Sequence, residues 1–187
     1  LSLYSCGIEE PVNTDTNNSS NSETQNNNNN NSEKPTNNDP NTPPDSLTDP
    51  VRVRSVIDGD TIDILRNGEV YRVRFKGINA PETNTDHGAE PYAIAAKDFV
   101  WDSVGNGWVD LEFDSSCNDN PYTNCKDMYD RLLAYIRTEK GVDLGKKLLE
   151  IGLAKVFRFN GESFDRYNEY NRAEQLAQNN NLGIWSE

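Results

Sequence analysis

From Asn13 to Ser46 the chain carries not one aliphatic, aromatic or sulfur-containing side chain. The stretch is mostly Asn, Ser, Thr, Asp and Pro, with six consecutive asparagines from Asn26 to Asn31. Such a segment cannot bury enough apolar surface to offset the entropy of ordering it. Residues 1–50 are therefore expected to form a flexible tether. The remaining 137 of 187 residues are the size of one domain with one core, which excludes two folded domains.

Residues 51–187 hold 17 Lys and Arg against 23 Asp and Glu, a net charge of -6. That balance argues against gripping nucleic acid through a broad basic face, so a polyanion would have to be held locally, by a few arginines or a metal. No run of 18 apolar residues marks a membrane span. Cys117 and Cys125 bracket a polar loop, SSCNDNPYTNC, with no His nearby, which makes a poor zinc site. The spacing favours a disulfide, and hence an oxidising compartment, over two unpaired thiols. Cys6 follows Leu-Ser-Leu-Tyr-Ser and precedes Gly. This resembles the end of a bacterial lipoprotein signal, in which the Cys carries lipid, although Tyr4 is atypical; the alternative is a plain secreted start. Either reading places the protein outside the cell or on its surface.

Alternation predicts strands over Val51–Ile57 and Thr61–Leu65, with Asp58-Gly59-Asp60 between them. Asn67-Gly68 signals a hairpin into a third strand, on which Tyr71, Val73 and Phe75 face one way and Arg72, Arg74 and Lys76 the other. Helical spacing over Tyr92–Val104 puts Tyr92, Ala95, Ala96, Phe99 and Val100 on one stripe. Strands are predicted at Trp108–Phe113 and Leu132–Ile136, a helix at Val142–Ile151, an extended segment at Leu153–Phe159 and a last helix at Ser163–Gln178 capped by Ser163. This order suggests a mainly β chain with helices, in the α+β class: a five-stranded OB-fold barrel with about three α-helices.

Asp58 and Asp60 flank a glycine, and Glu82 follows Asn79-Ala80-Pro81. Carboxylates in turns are commonly turn formers alone. Here Arg74 leads towards Asn79 and Glu82, and Arg131 opens another strand behind Tyr129-Asp130. Phosphodiester hydrolysis needs cations to neutralise charge developing on phosphorus oxygens and a carboxylate to align water. These residue types meet that need.

Five blocks in one order, Val56-Ile57-Asp58-Gly59-Asp60-Thr61, Arg74 with Gly77-Ile78-Asn79-Ala80-Pro81-Glu82, Asp127 to Tyr135, Gly152-Leu153-Ala154-Lys155-Val156 and Ile184-Trp185-Ser186-Glu187, resemble the staphylococcal nuclease (thermonuclease) family. The resemblance runs from about Val51 to Glu187, interrupted mainly at Cys117 to Cys125. It implies a calcium-dependent, sugar-nonspecific endonuclease on an OB-fold, cutting DNA and RNA to leave 3′-phosphates. By position, Asp60 becomes a calcium ligand, Asn79 stands at a second ligand position and Ala80 offers a backbone carbonyl. Glu82 orients or deprotonates the attacking water, Arg74 and Arg131 clamp phosphate, and Tyr129 contacts phosphate. Monomer is the default state.

Three departures from the family pattern stand out. Asn79 replaces the usual second calcium-binding aspartate. Charge count tunes calcium affinity, so binding in the weak range of roughly 10⁻⁴ to 10⁻³ M or poorer is expected, unless Asp58 compensates for the lost charge. Met128 replaces a basic residue. Arg158 and approximately Asn160 replace two pocket tyrosines, losing a stacking surface but adding a cation; alternation places one of Phe157 and Phe159 in the core. These departures favour a second reading, a nuclease-like module that binds oligonucleotide or protein without cutting. Retention of Asp60, Arg74, Glu82 and Arg131 together favours the enzyme.

Other conspicuous residues read as structural. His87 is a solvated loop residue, Trp101 and Trp108 pack in or at the edge of the core, and Trp185 pins the C-terminal segment. Asp114 and Asp127 read as solvated loop charges, and Lys146, Lys147 and Arg166 as helix-surface charges.

Overall fold

The computed structural model describes Asp39, residues 41–117 and residues 119–186. Cys6 and most of the expected tether lie outside the described residues. The strands are β1 (Pro50–Asp58), β2 (Thr61–Arg66), β3 (Glu69–Phe75), β4 (Ile78–Asn79), β5 (Trp108–Glu112), β6 (Leu132–Thr138) and β7 (Lys155–Val156). The helices are α1 (Ala93–Val104), α2 (Pro121–Asn124), α3 (Leu144–Glu150) and α4 (Tyr167–Asn179).

Five strands close a barrel in the order β1-β2-β3-β6-β5, with β5 returning to β1. All neighbours are antiparallel except β3 and β6, whose parallel register sets Arg74 beside Leu133. This is the expected five-stranded OB-type architecture. A separate pair, β4 with β7, aligns Asn79 with Lys155. Among the described residues the α-helices number four rather than about three, because Pro121 starts a single turn, α2, inside the loop closed by Cys117 and Cys125. Those two cysteines are joined, with Cα atoms 5.4 Å apart.

Alternating residues of the barrel strands, among them Ile62, Ile64, Val73, Phe75, Leu132 and Ile136, fill its interior. Leu144, Leu148 and Leu149 of α3, with Tyr170 and Ala173 of α4, close one side. The α1 face differs from the predicted stripe: Ala93, Ala96, Val100 and Val104 are buried, while Tyr92 and Ala95 are exposed. Small side chains win there because the barrel comes close. A Cβ on Gly59 would lie 2.6 Å from the Ala96 Cβ and 2.8 Å from the Ala80 Cβ. Only a glycine lets the turn after β1 sit against both, and that seating positions Asp60.

Contacts with the barrel begin upstream of residue 51. Asp110 is buried on β5 and accepts hydrogen bonds from Thr48 N (2.8 Å), Thr48 Oγ1 (3.0 Å) and Asp49 N (3.0 Å). Leu47 is buried as well.

Several expectations are corrected. Ser163 does not cap the last helix; α4 starts at Tyr167 with Arg166 before it and no side-chain cap. The preceding residues are committed elsewhere: Phe164 is buried, and Asp165 N donates to Asp114 Oδ2 at 2.8 Å. Asp114 is not a solvated charge but buried, also accepting from Tyr135 Oη (2.6 Å) and Ser116 Oγ (2.6 Å). Arg166 is not a free surface charge, since it pairs with both Glu112 and Asp143 and lies over the Tyr135 ring. Trp101 is 46% exposed rather than packed. The extended segment predicted to Phe159 pairs only at β7, then turns through a 3₁₀ turn at Phe159–Gly161 with Asn160 at φ 48°. His87 lies exposed in its loop, as read, and Trp185 packs under Lys155, whose Nζ stands 5.2 Å from the ring centroid.

Candidate active site

The turn between β1 and β2 buries a carboxylate. Asp60 N donates to Asp58 Oδ1 at 3.1 Å, an Asx arrangement that shapes the turn and turns the Asp60 side chain inward. Asp60 is only 2% exposed. Its Oδ2 accepts from Ala80 N at 2.6 Å and pairs with Arg74 Nη1, while Thr61 Oγ1 donates to Oδ1 at 3.1 Å. Burial pushes the Asp60 carboxyl up to about 7; Arg74 and the Ala80 N–H pull the other way, and nearby Asp58 adds to the rise.

Arg74 is placed by the β3 strand opposite Thr61. The sequence suggested a solvent-side arginine, yet it is buried, because its charge is met: Nη1 by Asp60, and Nη2 by the Asn79 side-chain oxygen at 2.7 Å. Asn79 is exposed on β4. Glu82 follows Pro81, with its peptide clamped by two bonds, Glu82 N to Glu90 Oε2 and Glu90 N to Glu82 O, each 2.9 Å. Its own carboxylate is exposed and, among the described residues, makes no hydrogen bond or ion pair.

The second cation comes from the loop before β6. Asp127 organises that loop: its Oδ1 accepts from Tyr129 N (2.9 Å) and Arg131 N (3.0 Å), and its Oδ2 from Arg131 Nε (2.7 Å). Reading Asp127 as a solvated charge is therefore corrected. Met128 and Tyr129 project from the loop into solvent. Arg158 leaves β7 and lies over the Tyr167 ring, 4.8 Å from its centroid.

Arg74, Asn79, Glu82, Tyr129, Arg131 and Arg158 all line one cleft of about 530 Å³. Asp60 and Ala80 lie behind it and reach it through Arg74 and Asn79. The cleft also holds residues that sequence reasoning placed otherwise or missed. Phe157 and Phe159 both line it, 47% and 60% exposed, so neither is in the core. The alternation argument fails because β7 is two residues long and the chain turns immediately after it. Lys126 and Glu162 also border the cleft and were not singled out.

A hard cation needs oxygen donors. Asp60 and Asn79 offer them, and in this structure both oxygens face the Arg74 guanidinium. The carboxylate supply is small: among the described residues, no group of three or more His, Cys, Asp or Glu converges. The donor chemistry fits a weakly held oxygen-seeking ion and not a soft one.

A family model described as "Staphylococcal nuclease homologue" matches residues 72–187, which include Arg74, Asn79, Glu82 and Arg131 but not Asp60. The SPbeta prophage-derived endonuclease YokF of Bacillus subtilis (strain 168) is 33% identical over 137 residues, 73% of this chain and 44% of that protein. Endonuclease YncB of the same organism is 32% identical over 137 residues, 73% of this chain and 61% of that protein. The thermonuclease of Staphylococcus intermedius is 34% identical over 140 residues, covering 71% of this chain and 74% of the relative. The chain thus spans less than two thirds of either Bacillus relative. With the barrel, the cleft and these matches together, the chain belongs to the staphylococcal nuclease family.

Proposed function

We propose that the protein is a calcium-dependent, sugar-nonspecific endonuclease that hydrolyses phosphodiester bonds of DNA and RNA to leave 3′-phosphates. The observation that carries this reading is the convergence on one cleft of two guanidinium groups, Arg74 and Arg131, and of Glu82, a carboxylate with no partner among the described residues. A carboxylate without a counter-charge is available to hold water, and the guanidiniums suit a phosphate.

In this mechanism water attacks phosphorus in line with the 5′ oxygen. One P–O bond forms, the P–O5′ bond breaks, and the phosphate stays on the 3′ side. Glu82 orients the water and takes its proton. Arg74 grips a non-bridging oxygen. Arg131 stabilises charge on the five-coordinate phosphorus and on the departing oxygen, where fixed donors are most effective. Tyr129 and Arg158 hold neighbouring parts of the strand. Asp60, Asn79 and the Ala80 carbonyl would hold the ion, which supplies additional positive charge at the scissile phosphate.

Secretion or surface attachment through a lipid on Cys6, and a monomeric state, complete the proposal; the Cys117–Cys125 bond supports an oxidising compartment. Among the described residues no helix is long and apolar enough to cross a membrane. Asn79 favours a second reading, a module that binds oligonucleotide or protein without cutting, because it lowers the charge of the ion site. Incubation with plasmid DNA and with RNA separates the two. Degradation in millimolar calcium that a chelator stops, with 3′-phosphate ends, supports the enzyme, and intact nucleic acid at the same calcium supports the module.

A further inference from the structure

Arg131 is held along one edge only. Asp127 Oδ2 accepts from its Nε at 2.7 Å, and the guanidinium carbon lies 5.4 Å from the Tyr129 ring centroid. No hydrogen bond or ion pair among the described residues engages its Nη1 or Nη2. A guanidinium fixed at Nε has its plane and its remaining donors fixed with it. The same carboxylate also fixes the backbone beneath: Oδ1 accepts from the amides of Tyr129 and Arg131, Asp127 N donates to Arg131 O at 2.9 Å, and Asp130 takes φ 65° to close the turn. The loop is anchored just upstream, where disulfide-bonded Cys125 is buried and its carbonyl accepts from Leu133 N at 2.8 Å.

We infer that Asp127 is a positioning residue for phosphodiester cleavage: it orients Arg131 so that Nη1 and Nη2 present to the phosphate in the cleft. The inference rests on the nuclease reading above. Its two oxygens divide the work. Oδ1 builds the turn, and Oδ2 aims the guanidinium. Asp127→Asn separates these functions, since the amide oxygen keeps the two backbone bonds at Oδ1 while the amide nitrogen cannot accept from Nε.

The test is a double-mutant cycle on single-turnover cleavage, with Asp127→Asn, Arg131→Ala and the pair. Asp127→Asn is expected to lower kcat roughly ten- to a hundredfold with KM nearly unchanged, as misaimed transition-state groups do. In the Arg131→Ala background the same substitution is expected to cost nothing further. A wild-type rate for Asp127→Asn, or an equal penalty in both backgrounds, overturns the inference. Full activity of Arg131→Ala alone instead overturns the role of Arg131 in the nuclease reading. A readout on the unmutated protein covers failure of a variant to fold: the Arg131 Nε–H proton, followed by NMR, is expected to be protected from solvent exchange, and free exchange overturns the inference regardless of activity.

Discussion

Arg74 engages two side chains at once, pairing through Nη1 with Asp60 and donating through Nη2 to the Asn79 side-chain oxygen at 2.7 Å. One guanidinium therefore serves as counter-charge for a buried carboxylate and as donor to an exposed amide. The amide contributes an oxygen but no charge, which weakens attraction for a divalent ion. Asn79→Asp adds the missing charge at the same atom position. It is expected to reach half-maximal cleavage at about tenfold lower calcium. A calcium titration of both proteins checks this; superimposable curves would show that the charge at position 79 does not limit ion binding.

Asp114 ties three segments together by accepting from Ser116, Tyr135 and Asp165. Burial alone would raise its carboxyl, but these hydrogen bonds outweigh it and hold the group down at about 2. Because the folded value lies below the unfolded value of 3.8, the stability Asp114 contributes is present above the unfolded value and is lost as pH falls through the folded one. Asp114→Asn is expected to cost about 1.5 to 3 kcal/mol near neutral pH and to flatten the acid limb of the stability curve. Denaturant melts at a series of pH values test it. An unchanged acid limb would contradict the assignment.

Phe159 stands exposed in the cleft next to Arg158. An aromatic face in that position can stack on a base. Phe159→Ala is expected to weaken binding of a short oligonucleotide by about 1 to 3 kcal/mol per stacked base while leaving the melting temperature in place. Equal affinities by titration would remove Phe159 from the binding surface.

The parts of this protein that were legible in the sequence are those whose signal is local. Strand alternation in Val51–Phe75 marks the first three barrel strands, and Arg74, Glu82 and Arg131 sit in short contiguous blocks that the cleft brings together, with Asp60 paired to Arg74 behind it. The misread residues take their environment from distant segments. Asp114 looks like a loop charge until Tyr135 and Asp165 surround it, and Arg166 looks like a surface residue until Glu112 and Asp143 flank it. The expectation that one of Phe157 and Phe159 is in the core fails for another reason: alternation holds only while a strand continues, and β7 ends at Val156. Asp127 was the nearest to being readable, since an Asp two and four residues before Tyr129 and Arg131 is a turn signal whose partners are all local.

The most direct measurement is the single-turnover rate of Glu82→Ala against the unmutated protein on the same DNA in millimolar calcium, with both melting temperatures recorded. Glu82 is exposed and its carboxylate supports nothing else among the described residues, so the fold is expected to melt unchanged. Cleavage is expected to fall by about 10² to 10³. A rate equal to that of the unmutated protein would contradict the assignment of this cleft as the place where phosphodiesters are hydrolysed.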